Sequence, residues 1–327
     1  MKLRKLALIL ALVMSGSAFV ACGGSDEKVE KPADKAETTE SADKDAPAKP
    51  YEEVEIKDSS DYTVKISEKP QKIVSLSPSI TEIVAALGAE ARLVGRTEYC
   101  NYPEEIKDSV SVGGTADPTL EKIVELDPDL IIASTHTSKE VVEKLRELKI
   151  PTVFLNEQDN FDGTYSAIME TGRLIGEVDK ANDIIKEMQA KKEKVQAAVN
   201  NHIKGGERKT VYFTNSFGEN GDFAAGGDTF ISEILELAGG VNIAKDVEGW
   251  QYSKEKLIEK NPDIIIVPSG RDLKKQLSEL EGYKDLKAVK EGQVYEVNED
   301  EISRQSPRVV DALEAVAKII NPDMKYE

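Results

Sequence analysis

Apolar residues recur at helical spacing along a polar stretch in the middle of the chain: Ala181, Ile184, Ile185, Met188, Val195, Ala198, Val199 and Ile203. The spacing predicts one long helix from Asp179 to Ile203, with its stripe interrupted at Lys191 and Lys192. No Gly or Pro breaks it. Asp179 is the expected N-cap, and Gly205-Gly206 the expected stop. About 25 residues rising 1.5 Å each reach roughly 37 Å, the width of a domain.

The segments on either side repeat each other. EKIVELDPDLIIAS starts at Glu121 and EKLIEKNPDIIIVP at Glu255, with seven of fourteen positions identical. We read two related α/β lobes joined by the long helix. In the first lobe, YTVKI, KIVSLS, ARLVGRT, DLIIAS and PTVFL have the pattern of strands, and helices fall between them. A helix through Ala86 is expected to be capped by Ser79 or Thr81, another to have Pro118 in its first turn, and a last one to run from near Thr164 to Ile175. The second lobe repeats the scheme with KTVYFTN, a Gly-rich loop SFGENGDFAAGG, the capped helix DTFISEILEL, the strands DIIIVP and GQVYEV, a helical KKQLSELEGYKDLKAV, and a terminal helix opened by Ser306-Pro307-Arg308. Alternating strands and helices imply parallel sheets, whose ligands sit beyond the carboxyl ends of the strands. Loops at those ends include TEYCNYP, THTS and SFGENGDFAAGG.

The expected organisation is a signal peptide over 1–21, a disordered tether over 22–60, a first lobe over 61–178, a connecting helix over 179–204 and a second lobe over 205–327. Lys2, Arg4 and Lys5 precede a short apolar run, and Phe19-Val20-Ala21-Cys22-Gly23 resembles a bacterial lipoprotein signal. That resemblance implies acylation of Cys22 and an extracytoplasmic protein held at the membrane surface by lipid. The tether has almost no large apolar residues before Tyr51 and cannot bury a core. The 327 residues suffice for two lobes, and the net charge of -18 argues against nucleic acid. A third of that charge lies in the tether. With Cys22 lipidated, Cys100 is left over and reads as a small, partly buried residue.

SLSPSITEIVAALGAEARLVGRTEYCNYP, LEKIVELDPDLIIAS and RQSPRVVDALE, in that order around a connecting helix, strongly resemble the cobalamin and iron-complex family of substrate-binding proteins. The resemblance runs from about Ile73 to the C-terminus. It implies two lobes on a rigid helix with small closure on ligand, a monomer, and service to an ATP-driven importer with its permease dimer and ATPase. The TEYCNYP loop is most similar to the cobalamin-binding branch. There an aromatic at the position of Tyr99 packs on the corrinoid, a Trp stands near the place of Trp250, and a strand-end aromatic corresponds to Phe217. Aromatic faces suit a broad, flat, mostly neutral corrinoid. Phe223 shares the Gly-rich loop with Phe217, where a core role is awkward, and is a further candidate. Arg304 and Arg308 flank a loop that faces the cleft in the family: Arg304 is read as a contact to an anionic ligand, Arg308 as a cap or structural pair. Arg96, at a strand end, is also a candidate. Glu121 and Glu255 occupy the same place in the two repeats. Each complements a helix dipole, and in the family such a pair docks on arginines of the permease.

The ligand stays open among a corrinoid, a ferric siderophore and haem or another chelate. A strongly anionic siderophore would want an Arg cluster, for which Arg96, Arg271 and Arg304 are the suppliers. His136 lies in a strand-end loop where haem ligation is conceivable, though an exposed loop His is the plainer reading. His202 reads as structural. No spacing indicates a zinc or calcium site of the protein's own, and no resident cofactor is expected. No nucleophile elbow, phosphate loop or dinucleotide fingerprint occurs, so no catalytic residue is assigned. A surface sensor or adhesin, or a two-lobe enzyme, are the readings from other classes.

Overall fold

The computed structural model describes residues 51–325, apart from 157, 219 and 220. The expected signal peptide, Cys22 and the tether up to residue 50 lie outside the described residues. Among the described residues no helix is long and apolar enough to cross a membrane.

The first lobe starts near Tyr51 rather than at residue 61. Strand β1 (Val54–Lys57) pairs antiparallel with β2 (Thr63–Ile66), so residues assigned to the tether belong to a hairpin. Asp58 in its turn accepts the Phe154 backbone N–H at 2.9 Å and ion-pairs with Arg146, fastening the hairpin to the lobe. The main sheet then uses β3 (Ile73–Ser75), β4 (Leu93–Arg96), β5 (Val110–Ser111), β6 (Leu130–Ser134) and β7 (Thr152–Leu155). Its order is β5-β4-β3-β6-β7, all parallel. Helices α1 (Pro78–Ala86), α2 (Leu120–Glu125), α3 (Lys139–Glu147) and α4 (Phe161–Ile175) connect and follow the strands. Ser77 holds the N-cap position of α1, not Ser79 or Thr81. The Thr81 hydroxyl instead bonds inward to Ser75 at 2.9 Å and to the buried Cys100 sulfur at 3.1 Å. Pro118 precedes α2, where it bridges Gly113 across a turn.

After the connecting helix α5 (Val178–His202), the second lobe comprises β8 (Thr210–Ser216), β9 (Asp222–Ala224), α6 (Phe230–Leu237), β10 (Val241–Asn242), β11 (Gln251–Tyr252), α7 (Lys254–Lys260), β12 (Ile264–Pro268), α8 (Leu273–Glu279), α9 (Lys287–Lys290), β13 (Val294–Val297), α10 (Glu299–Ser303) and α11 (Val309–Ile320). Strands β10, β8, β12 and β13 are parallel, while β9 and β11 extend the sheet antiparallel in the order β11-β9-β8-β12-β13. The Gly-rich segment expected as a loop therefore contains a strand. The long helical reading after Pro268 breaks into α8 and α9 around Gly282, whose φ of 90° stops a helix.

The internal repeat is visible in detail. The first repeat is α2 and β6, the second α7 and β12, and each strand is interior to its sheet. Asp127 and Asn261, at the same repeat position, both turn the chain with positive φ, 49° and 42°. Two residues on, Asp129 accepts the Lys72 N–H at 3.0 Å and Asp263 the Thr210 N–H at 2.8 Å, each anchoring the neighbouring strand. Shared sequence here means shared backbone chemistry.

Helix α5 begins one residue before the expected Asp179 and ends at His202, with Glu177 at its N-cap position. It packs against α4 of the first lobe and α11 of the second. The two lysines that interrupt its apolar stripe have work: Lys191 pairs with Asp311 and, at 2.9 Å, with Glu314 on α11, while Lys192 lies 4.6 Å from the centre of the Phe161 ring. Beside it Phe161 meets Phe230 of the other lobe edge-on, with ring centres 5.1 Å apart. One continuous apolar core thus runs from the first sheet through α4, α5 and α11 into the second. A core shared by both lobes resists hinge motion more than a polar interdomain contact would.

Candidate functional site

Parallel strands deliver their loops to one edge, and the two lobes turn those edges toward one cleft. Its cavity is about 710 Å³, within the range of ligand pockets. The first lobe contributes the start of α1 (Ser77–Ile80), Tyr99, Thr115, the loop from Ser134 to His136, and Asn156. The second contributes Asn215, Phe223, Trp250 and the segment from Ile302 to Gln305.

The second-lobe wall is aromatic, for reasons set by strand alternation. Along β9, Asp222 and Ala224 point inward and Phe223 outward into the cleft. Strand β11 pairs with β9, and Ala224 donates its N–H to the Trp250 carbonyl at 2.7 Å. Phe223 and Trp250 therefore stack, with ring centres 4.9 Å apart and planes 11° from parallel. Gly226 and Gly227 run beside this segment, donating to the Gly249 and Val247 carbonyls at 2.9 and 2.8 Å. A Cβ on either glycine would collide with a backbone carbonyl, so the close approach that holds Trp250 requires glycine there. Behind the platform Asp222 is fully buried and accepts the hydroxyls of Tyr212, at 2.6 Å, and Tyr283. Burial pushes the Asp222 carboxyl above its ordinary range, and the hydrogen bonds from Tyr212 and Tyr283 only partly offset that.

The first-lobe wall mixes hydroxyl, amide and imidazole groups with the aliphatic Pro78, Ile80, Leu155 and Ala167, and its one aromatic is Tyr99, which is 58% exposed. Its loop is fastened from the other lobe. Arg304 donates to the Tyr99 carbonyl at 3.1 Å and to Asn101 Oδ1 at 2.8 Å, and Arg308 covers the Tyr102 ring at 3.9 Å. Both guanidinium groups converge on Glu82 of α1. Arg304 Nη1 and Arg308 Nη2 each lie 2.7 Å from Glu82 Oε1, while Ser306 Oγ donates to Oε2 at 2.7 Å. The Glu82 side chain is only 2% exposed. Asp300 takes the other edge of Arg304 at 2.7 Å.

The residues singled out from sequence therefore separate. Tyr99, Phe223, Trp250 and Arg304 line the cleft. Phe217 does not: it packs on Tyr283, ring centres 5.1 Å apart, against the second-lobe core. Arg96 does not line it either; it donates to the carbonyls of Ile106 at 3.3 Å and Thr97 at 3.2 Å. Arg304 reaches the cleft with its guanidinium already paired to Glu82 and Asp300. Arg271 is likewise engaged, by Glu299. Arg308 is the structural pair it was read to be. His136 lines the cavity on the first-lobe side, and His202 ends α5. Glu121 and Glu255 are exposed in the first turns of α2 and α7. Sequence reasoning missed Glu82, although a carboxylate amid the apolar run of α1 was the available sign of a buried partner. It also missed Asn156, Asn215 and Gln305, which carry no local mark. Among the described residues no cluster of His, Cys, Asp and Glu could hold a metal ion.

Two lobes on one helix, with a cleft at their strand ends, define a binding protein of the periplasmic type. The "Periplasmic binding protein" family matches residues 73–301, and the chain belongs to that family, as SLSPSITEI and RQSPRVVDALE led us to expect. It is 33% identical over 324 residues to the uncharacterized ABC transporter substrate-binding lipoprotein YvrC of Bacillus subtilis strain 168, covering 97% of this chain and 96% of YvrC. It is 28% identical over 271 residues to a cobalamin-binding protein of Halobacterium salinarum, covering 80% of this chain and 72% of the other. Among solved structures it is similar to a Staphylococcus epidermidis ATCC 12228 protein described as a possible iron-binding (periplasmic solute-binding) protein. The TM-score is 0.67 and the identity 28%, over 77% of this chain and 99% of that one.

Proposed function

We propose that this protein is the lipid-anchored receptor of an ATP-driven importer, capturing a corrinoid between its lobes and passing it to a permease dimer without chemical change. One observation carries the ligand class: the cleft offers a stacked aromatic platform and, among its described lining residues, no free Arg or Lys. Arg304 is the only Arg or Lys among its described lining residues, and its guanidinium is already satisfied. A broad ligand of little net charge loses least on entering such a site, because aromatic faces bind by area and the one guanidinium among the described lining residues is already paired. An anionic siderophore would find Arg96, Arg271 and Arg304 all engaged. The cobalamin-binding relative from Halobacterium supports the same ligand class.

Cys22 anchors the chain at the outer face of the cell membrane through lipid, in keeping with the lipoprotein name of the Bacillus relative. Glu121 and Glu255 dock the loaded receptor on its permease. Haem is the second reading, and His136 favours it, since its imidazole on the cleft wall can ligate iron. Calorimetric titration of the full-length protein with cyanocobalamin tests the first reading. Saturable one-to-one binding below micromolar concentration is expected. No heat with cyanocobalamin, alongside saturable binding of haemin, would transfer the assignment to haem.

A further inference from the structure

Among the described residues that line the cleft, Asp159 is the only carboxylate and Arg304 the only guanidinium, and no Lys joins them. Arg304 is paired. Asp159 is not: among the described residues no Lys, Arg or His forms an ion pair with it. The nearby Lys192 stands over the rings of Phe161 and Tyr165 and does not line the cleft. The Asp159 carboxylate is nevertheless held in place. Its Oδ1 accepts from Gln305 Nε2 at 2.6 Å, and its Oδ2 faces the Phe230 N–H at 3.4 Å in the first turn of α6. Complementing the α6 dipole explains Oδ2. It does not explain Oδ1, which is turned to an amide that itself lines the cleft. Asp159 is exposed, so its remaining lone pairs are open to a ligand. Asn156 and Asn215 line the same cleft and add donors and acceptors without charge.

We propose that Asp159 and Gln305 are the selectivity pair of the cleft, admitting a ligand rimmed with carboxamides and rejecting one rimmed with carboxylates. The inference rests on the corrinoid reading and deepens it: the class taken is amidated corrinoids, and corrinoid acids are excluded. A carboxamide carries both N–H donors and a carbonyl acceptor. Its N–H enters an open lone pair of Asp159. Its carbonyl takes the second Nε2 hydrogen of Gln305, the first being held by Asp159. A carboxylate has no hydrogen to give. It also brings a like charge to Asp159, with no free Arg or Lys among the described lining residues to offset it. A site built to pair with a donor discriminates strongly against an analogue that lacks one.

The test titrates the full-length protein with cyanocobalamin and with its ring-edge monocarboxylic acids, in each of which one carboxamide is replaced by a carboxylate. At least one acid should bind more weakly than cyanocobalamin by about tenfold or more. Asp159→Asn keeps an acceptor for Gln305 and removes the charge. It should weaken cyanocobalamin by about threefold, through loss of a charge-assisted hydrogen bond, and strengthen that acid, bringing the two affinities within about threefold of each other. Added salt should narrow the gap in the parent and not in the variant. A carboxylate that only steadied the lobes would move both ligands in the same direction. Acids that bind as tightly as cyanocobalamin, or a gap unchanged in Asp159→Asn, would overturn the proposal. If haemin binds and cyanocobalamin does not, the corrinoid reading falls, and haemin is compared with its diamide. Tighter binding of the diamide by about tenfold, lost in Asp159→Asn, would then uphold the selectivity pair, and equal binding would overturn it. Binding of neither pigment would overturn both readings.

Discussion

Phe223 stands on β9 and Trp250 immediately before β11, and the far side of this strand pair is the buried cluster of Asp222, Tyr212 and Tyr283. Tyr99, across the cleft, stands on a loop fastened by Arg304 and Arg308 of the other lobe. One wall is held from within its own lobe, the other from outside it. The second lobe therefore sets the position of both walls, and the Glu82 triad is where the first lobe is tied to it. A ligand-contacting group can thus owe its placement to residues that are distant in sequence and belong to the opposite domain.

The comparison breaks most severely at Glu82. Glu82→Gln leaves Arg304 and Arg308 without their shared carboxylate in a buried setting, which should cost about 3–5 kcal/mol of unfolding free energy. Denaturant unfolding measures it, and a loss below about 1 kcal/mol would show that the lobes are held by the shared core alone. Trp250→Ala comes next. It removes half of the aromatic platform and should weaken cyanocobalamin binding about a hundredfold by calorimetry, with little change in stability. Phe217→Ala should do the reverse, lowering stability by about 2 kcal/mol and leaving affinity within twofold, because Phe217 packs on Tyr283 away from the cleft.

Asp222 gives a smaller, pH-dependent effect. Burial raises its carboxyl pKa in the folded protein above the ordinary value of about 3.9. The folded state then keeps its proton to higher pH than the unfolded state does. The stability this contributes is full below about pH 4 and is lost as pH rises through the raised value. Asp58 and Asp263 act with the opposite sign. Burial pushes each up, but hydrogen bonds outweigh it and hold each below the ordinary value, so their contribution is lost on acidification. Comparing Asp222→Asn with the parent from about pH 4 to 8 isolates the Asp222 share. The variant should show a flatter fall in stability with rising pH, and parallel curves would contradict the assignment. Arg96→Ala should have the least effect on binding, within about twofold, since its guanidinium serves two backbone carbonyls outside the cleft.

What was legible in the sequence was whatever repeats or keeps a period. The α5 stripe, the paired α2–β6 and α7–β12 units and the parallel strands all follow from local spacing. Trp250 and Phe223 could be singled out because large aromatics in a polar, Gly-rich segment have no core to enter. The pairing of Arg304 could not be read, because its partner Glu82 lies 222 positions earlier and nothing local announces it. Phe217 was misplaced for a related reason: a strand hidden in the Gly-rich segment turns Phe223 to the cleft, while Phe217, outside that strand, falls against the core. The first hairpin was missed because Val54–Lys57 alternates weakly beside a charged tether.

The most direct test of a cleft suited to a flat ligand of little net charge is a parallel titration with cyanocobalamin and haemin, followed by the emission of the single tryptophan. Residues 51–327 lie within one compact unit and suit the experiment. Emission comes from Trp250 alone, and free tryptophan corrects for light absorbed by either pigment. The account predicts saturable quenching by cyanocobalamin below micromolar concentration and at least tenfold weaker binding of the dicarboxylate haemin. Equal or tighter binding of haemin would contradict it, and would mean that paired arginines do not decide which ligand the cleft accepts.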